Sequence, residues 1–283
     1  MIWAVGALLT AGVAAGPSSA LLLARGRWQI IHPRRALTLW GLLGALGVLC
    51  ATASVLLAAA LSLSAGSADA ADQAVAPGWT LALTLFAWAG LGGLGIAGSL
   101  AVQGRGDLGD ENGERPTAAE LLSRRRTDSW RMGAITVVEI DDPRLVAASA
   151  PDPASTIFVS RGVRRALPAS QLEAVLAHEA AHLHQRHAAV RYLGAWHSAC
   201  LPKRSRLRRR LASRVMLLTE LAADDHASAV VGPGPLHGAL CALRRFSSSR
   251  ELGVRAARVR ALHGLDAKEA AVTHPTPAVL DVL

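Results

Sequence analysis

His178-Glu179-Ala180-Ala181-His182 is the stretch on which the reading of this chain turns. On a helix, residues four apart lie about 40° from each other around the axis, so both imidazoles share a face and can reach one metal ion. The intervening Glu179 turns toward the same side, where its carboxylate can take a proton from a water on that ion. The local sequence predicts the helix this requires. Pro168 leads into Ser170, a cap residue, and Glu173 three positions on completes a capping box. Leu172, Leu176 and Leu183 then cluster on one side with Glu179 among them. His178 and His182 flank that cluster beside Val175, while His184 and His187 point largely elsewhere. A carboxylate and two imidazoles so close to an apolar side are costly unless paired, and a bound cation turns that cost into a stabilised cluster. The competing reading is a solvent-facing helix that matches by chance, in a chain with ten histidines.

Zinc in a catalytic site takes three protein ligands and keeps one position open. A third histidine six residues after the second, with a glycine between, is excluded, because position 185 is Gln and position 188 is Ala. A glutamate on a later helix is the other solution, and Glu220 fits it. It lies in the run Val215 to Asp224, apolar nearly all round and therefore buried. Asp224, one turn further on the same face, can accept a hydrogen bond from the far nitrogen of a ligand histidine and fix its tautomer. The competing reading pairs Glu220 with a nearby arginine such as Arg214.

Outward from this centre, the 283 residues carry a formal charge of +9 and are 51% apolar, with the apolar excess in the first hundred residues. Three runs without internal charge, about 2–24, 36–63 and 79–102, are each long enough to span a bilayer. The first reads as a retained span and not a signal peptide, since no basic residue precedes its long apolar run. Arg25, Arg27, Arg34 and Arg35 follow the first run, Asp69 and Asp72 follow the second, and Arg105, Arg115 and Arg124 to Arg126 follow the third. The positive-inside rule then puts the amino terminus outside and everything after residue 103 in the cytoplasm. Residues 103–130 read as a polar, Gly-rich linker. Ile135 to Ile140 and Thr156 to Ser160 are β-prone, and the pattern from Pro168 onward is helical. Cys50, Cys200 and Cys241 are too scattered for a disulfide framework or a cysteine metal site.

The pair His178-Glu-Ala-Ala-His182 and Glu220-Leu-Ala-Ala-Asp224 resembles the gluzincin-type membrane zinc metallopeptidases, which include the HtpX-like peptidases and the beta-lactam-sensor/antirepressor peptidase family. The entry Ile157-Phe-Val-Ser-Arg-Gly162 into Leu167 to His178 is similar to the strand and helix entry of these families. The resemblance implies a mainly α fold: three N-terminal transmembrane helices over 1–102, the linker 103–130, and a helical zincin-type peptidase domain with a small β-sheet over 131–283. It implies zinc on His178, His182 and Glu220, Asp224 behind a ligand histidine, and Glu179 as general base. Thr273-His274-Pro275 is similar to a histidine-proline element near the active site of HtpX-like domains, which implies an oxyanion-stabilising role for His274. The alternative is an ordinary loop histidine, and the basic residue that usually follows that element is missing. Beta-lactam sensing is not carried over.

The function expected is a membrane-anchored zinc endopeptidase that cleaves protein or peptide substrates at the inner face of the cell membrane, in signalling by repressor cleavage or in membrane protein quality control. The alternative class is a catalytically silent membrane signalling or scaffolding protein with a peptidase-like fold, and a further one is a zinc hydrolase of non-peptide substrates. Thr156 to Ser160 is a candidate edge strand for pairing with an extended substrate, or else a core strand. Lys203 to Arg210 carries six positive charges in eight residues. It is expected to face anionic headgroups, the competing reading being a solvated loop. Nucleic acid is not expected as a partner, since no aromatic interleaving or reading helix accompanies the charge.

Overall fold

Alternation of apolar side chains builds the sheet. In the computed structural model, Ile135 and Val137 of one strand and Ile157 and Val159 of another bury on one face, and Val138, Ile140 and Phe158 bury on the other. The structure describes residues 2–24, 26–67, 118–150, 155–202, 204–246 and 250–265, with positions 82, 85, 89 and 90 besides. The chain divides into two compact units, Met1–Leu108 with Leu193–Arg214, and Gly109–Tyr192 with Val215–Leu283.

The first unit is built on α1 (Ile2–Ala24), α2 (Trp28–Ile31) and α3 (Pro33–Ser67). α1 and α3 approach closely through small residues: a Cβ on Gly12 would meet the Ala51 nitrogen at 3.0 Å and the Gly47 oxygen at 3.1 Å. Ser54 Oγ donates to the Val5 carbonyl across the same contact at 3.0 Å. Trp40 stacks on His197, with ring centroids 6.0 Å apart. Among the described residues one helix, over Pro33–Leu61, is long and apolar enough to cross a membrane, with 29 residues and a mean hydropathy of 2.2. The structure therefore supports one spanning helix where the sequence leads to an expectation of three. The third expected span, 79–102, lies almost wholly outside the described residues.

The second unit holds a four-stranded mixed sheet in the order β1-β2-β4-β3, with β1 (Arg126–Met132), β2 (Ile135–Ile140), β3 (Ala147–Ala150) and β4 (Thr156–Ser160). β2 and β4 run parallel, while β1 on β2 and β3 on β4 are antiparallel. Two expectations need correction. Residues 118–130 are not linker: α4 (Ala118–Ser123) and β1 occupy them, and Leu121 buries against the sheet. Thr156 to Ser160 is not an edge strand. β4 is enclosed by β2 and β3, and the edges belong to β1 and β3.

Helices α5 (Arg161–Ala166), α6 (Ala169–His184), α7 (His187–Ala199), α8 (Arg206–Val231), α9 (Pro233–Arg244) and α10 (Arg250–His263) follow. Ser160 caps α5: its Oγ accepts from the Val163 amide at 3.2 Å and also from the Val146 amide at 3.1 Å. Gly162 is required just there, since a Cβ would lie 2.3 Å from the Pro143 oxygen. These contacts fix the segment that leads into β3. The expected capping box does not form. α6 starts at Ala169 after Pro168, with no side-chain cap, so Ser170 already lies inside the helix. Val175, Leu176 and Ala180 pack α6 on the sheet. Ala174 and Ala177 face a second cluster with Ala227 of α8, Leu236 and Leu240 of α9, and Ala256 and Val259 of α10.

Candidate metal centre

The helix carrying the motif is held on two sides, and this aims its histidines. His178 is 7% exposed, and Glu220 and Asp224 on α8 are 2% and 0% exposed. His178 Nε2 lies 3.1 Å from His182 Nε2 and 3.4 Å from Glu220 Oε2, and His182 Nε2 lies 3.7 Å from Glu220 Oε1. Metal–ligand bonds of about 2.0–2.1 Å in a tetrahedron place ligand atoms roughly 3.3 Å apart. The separations lie around that value, with Glu220 presenting Oε2 to one ring and Oε1 to the other, and one atom from each residue falls within 4.8 Å of the other two, a set that suits a zinc ion. Among the described residues these three form the one group of His, Cys, Asp or Glu side chains that could hold a metal.

Asp224 accepts from His178 Nδ1 at 2.9 Å, which directs Nε2 toward the centre. Glu179 is half-buried and lines the same cleft as His178, His182 and Glu220. His274 lies outside the described residues.

Two arginines absent from the sequence reading complete the site. Arg255 of α10, 6% exposed, donates through Nε and Nη2 to Asp224 at 2.8 and 2.7 Å, and through Nη1 to Glu220 Oε2 at 2.6 Å. Arg191 of α7 donates to Glu220 Oε1 at 2.7 Å and to Thr219 Oγ1 at 2.9 Å. Glu220 is therefore paired with arginine, as the competing reading held, through Arg191 and Arg255. The two readings are compatible, because each carboxylate oxygen has two lone pairs and one remains for an ion. Arg255 had a signal in the sequence: it occupies the apolar stripe Leu252, Ala256, Val259 of α10, where a charge needs a partner.

His187 is a correction. The expectation that it points away assumes a helix continuing past His184. The chain turns at Gln185 and Arg186 instead, and His187 Nδ1 ends 2.7 Å from His182 Nδ1.

The surroundings set the charge states. Burial and the Arg255 charge oppose protonation of His178, but its hydrogen bonds to Asp224 and Glu220 outweigh both and push its pKa up to about 9. Burial and the nearby His178 push His182 far below the usual imidazole range. Burial resists ionisation of Asp224, yet Arg255 and His178 hold its carboxyl below the ordinary range.

A cleft of about 830 Å3 opens on these residues. One side is Pro143 to Ser149, which includes the start of edge strand β3. Leu236, Leu240 and Leu243 of α9 line it as well. The arrangement can bind a divalent ion, hold a carboxylate beside it and offer a strand edge to an extended chain. Comparison with curated proteins gives no match, and neither does comparison with solved structures. Residues 135–223, the segment that carries β2, the motif helix and Glu220, match the sequence model of peptidase family M48.

Proposed function

We propose that this chain is a membrane-anchored zinc endopeptidase. The observation that carries the reading is the convergence of His178, His182 and Glu220 within 4.8 Å of one another, beside Glu179 and at the floor of a cleft with a strand edge. A zinc ion held there supplies Lewis acidity toward water and a scissile carbonyl. Glu179 takes the proton of the attacking water and returns it to the leaving amine nitrogen. Asp224 holds His178 in the tautomer that leaves Nε2 free. The outer edge of β3 takes the place first given to β4, aligning an extended peptide by main-chain hydrogen bonds. His274 is assigned the oxyanion-stabilising role that the resemblance implies. The full set of ligands together with Glu179 favours catalysis over a silent scaffold, which has no use for the base.

Proton release tests the metal reading. In protein stripped of metal, a His178 pKa of about 9 leaves that ring protonated at pH 7, and zinc must displace the proton. Apparent zinc affinity is expected to fall about tenfold for each pH unit below roughly 9. Titration calorimetry in buffers of different ionisation enthalpy should register one proton released per zinc at pH 7. No uptake of zinc, or uptake without proton release, counts against this centre.

The membrane reading rests on α3 and its surface. Leu42, Leu49 and Leu56 are each more than half exposed, as in a helix facing lipid. The segment 193–214, with Arg204, Arg206, Arg209 and Arg210 exposed, belongs to the same unit as α1 and α3. Our reading puts this basic run against anionic headgroups on the cytoplasmic leaflet, with the peptidase domain on that side. Reconstituted protein in which Arg204, Arg206, Arg209 and Arg210 are changed to Gln should retain insertion. It should lose the protection that anionic, but not neutral, lipid gives the trypsin sites left in both proteins, Lys203 and Arg208. Equal protection by both lipids would contradict the docking role. Cleavage of a cytoplasmic repressor or of misfolded membrane proteins is the corresponding substrate proposal.

A further inference from the structure

The turn after the motif helix is held in a costly backbone state. α6 ends at His184, and the Gln185 amide donates to the Ala181 carbonyl at 2.9 Å. Arg186 follows with φ of +51°, the left-handed region, which costs a non-glycine residue roughly 1–2 kcal/mol. Its amide donates to the Leu183 carbonyl at 3.1 Å. This reversal brings His187, the first residue of α7, back over His182. The two ring centroids are 4.8 Å apart at 74°, and His187 is 2% exposed.

With a metal on His182 Nε2, the neighbours of that ring assign its protons. His182 Nε2 faces His178 and Glu220, so a metal there requires the ring proton on Nδ1. Nδ1 lies 2.7 Å from His187 Nδ1 and 3.5 Å from Arg191 Nη2. Arginine only donates, and Arg191 Nη2 gives its proton to Glu220 Oε1 at 2.7 Å, so of the two neighbours His187 Nδ1 is the one that can accept from His182 Nδ1. The proton of His187 is thereby placed on its Nε2, which lies 3.2 Å from Gln185 Oε1 and donates to it. The opposite order, with His187 Nδ1–H donating, would leave the proton of His182 on Nε2 and bar it from the metal.

We propose that His187 and Gln185 form a neutral hydrogen-bonded chain behind His182 that selects its metal-binding tautomer and holds its ring in place. His187 is a positioning residue on this account, the counterpart for His182 of what Asp224 is for His178. The two ligands are backed unequally, one by a carboxylate and one by a neutral imidazole. The inference rests on the reading that zinc binds His178, His182 and Glu220.

The test is zinc affinity of the full chain in detergent, by competition with a chromogenic chelator, with the thermal midpoint of the chelator-treated protein as a check on folding. His187→Phe keeps a ring but accepts nothing and should lower zinc affinity about 10–100-fold. His187→Asn keeps an acceptor oxygen and should stay within roughly threefold of wild type, a rescue that a packing role would not give. A His187→Phe protein that folds and binds zinc like wild type overturns the proposal, as does an Asn variant as weak as the Phe variant. If the Phe variant fails to fold, Gln185→Leu decides: a loss of several-fold or more supports the chain, and unchanged affinity overturns it. Failure of wild type itself to bind zinc would instead refute the metal reading.

Discussion

Glu179→Gln is expected to lower proteolytic turnover by about 10²–10⁴-fold, the range over which a positioned general base contributes, while zinc content stays at the wild-type level. The separation of the two effects is the informative part. Glu179 lines the cleft but is not one of the three side chains that could together hold a metal ion. Glutamine matches glutamate in size, so the cleft and the α6 packing stay unchanged. What disappears is basicity at one point. Casein degradation or self-cleavage of the purified protein, followed beside elemental zinc analysis, reads both quantities. Loss of turnover with zinc retained fits a base acting on water. Loss of both would mean that Glu179 holds the site together, and full activity would remove it from the mechanism.

The sequence revealed the parts of the site that obey a helical period. His178, His182, Glu220 and Asp224 could be placed from spacing on two helices, and β2 and β4 from β-branched, apolar alternation between turn residues. What was missed depended on the path of the chain between those elements. β1 reads Arg-Thr-Asp-Ser-Trp-Arg-Met and is mostly exposed, so no alternation announces it; its pairing with β2 creates the strand. β3 reads Ala-Ala-Ser-Ala, weak in β propensity, and exists through its register with β4. The same gap left Thr156 to Ser160 open as an edge strand, although β3 lies outside it. His187 was lost because one left-handed residue, Arg186, breaks the extrapolation of 100° per residue. Arg255 could be flagged as a charge in an apolar stripe, but its partners lie some 30 residues upstream on another helix, and no local pattern names them.

Arg255→Met is expected to destabilise the fold by about 3–5 kcal/mol, the loss typical of breaking a buried ion pair from one side. Arg255 is almost wholly buried and gives three short charge-assisted hydrogen bonds, two to Asp224 and one to Glu220. Without it Asp224 keeps His178 as a partner and Glu220 keeps Arg191, but two carboxylates one helical turn apart are left facing each other with half their compensation gone. Methionine fills much of the volume, so the loss reports charge more than cavity. The decisive comparison is the double variant Arg255→Met with Asp224→Asn. Removing one member of a buried pair strands the other, whereas removing both does not. An asparagine oxygen can still accept from His178 Nδ1. The double variant should therefore unfold at a higher denaturant concentration than Arg255→Met alone, with a coupling of 1 kcal/mol or more in the double-mutant cycle. Additive losses would show that Arg255 and Asp224 act independently. A single variant within about 1 kcal/mol of wild type would show that the arginine is dispensable to the frame that holds Glu220.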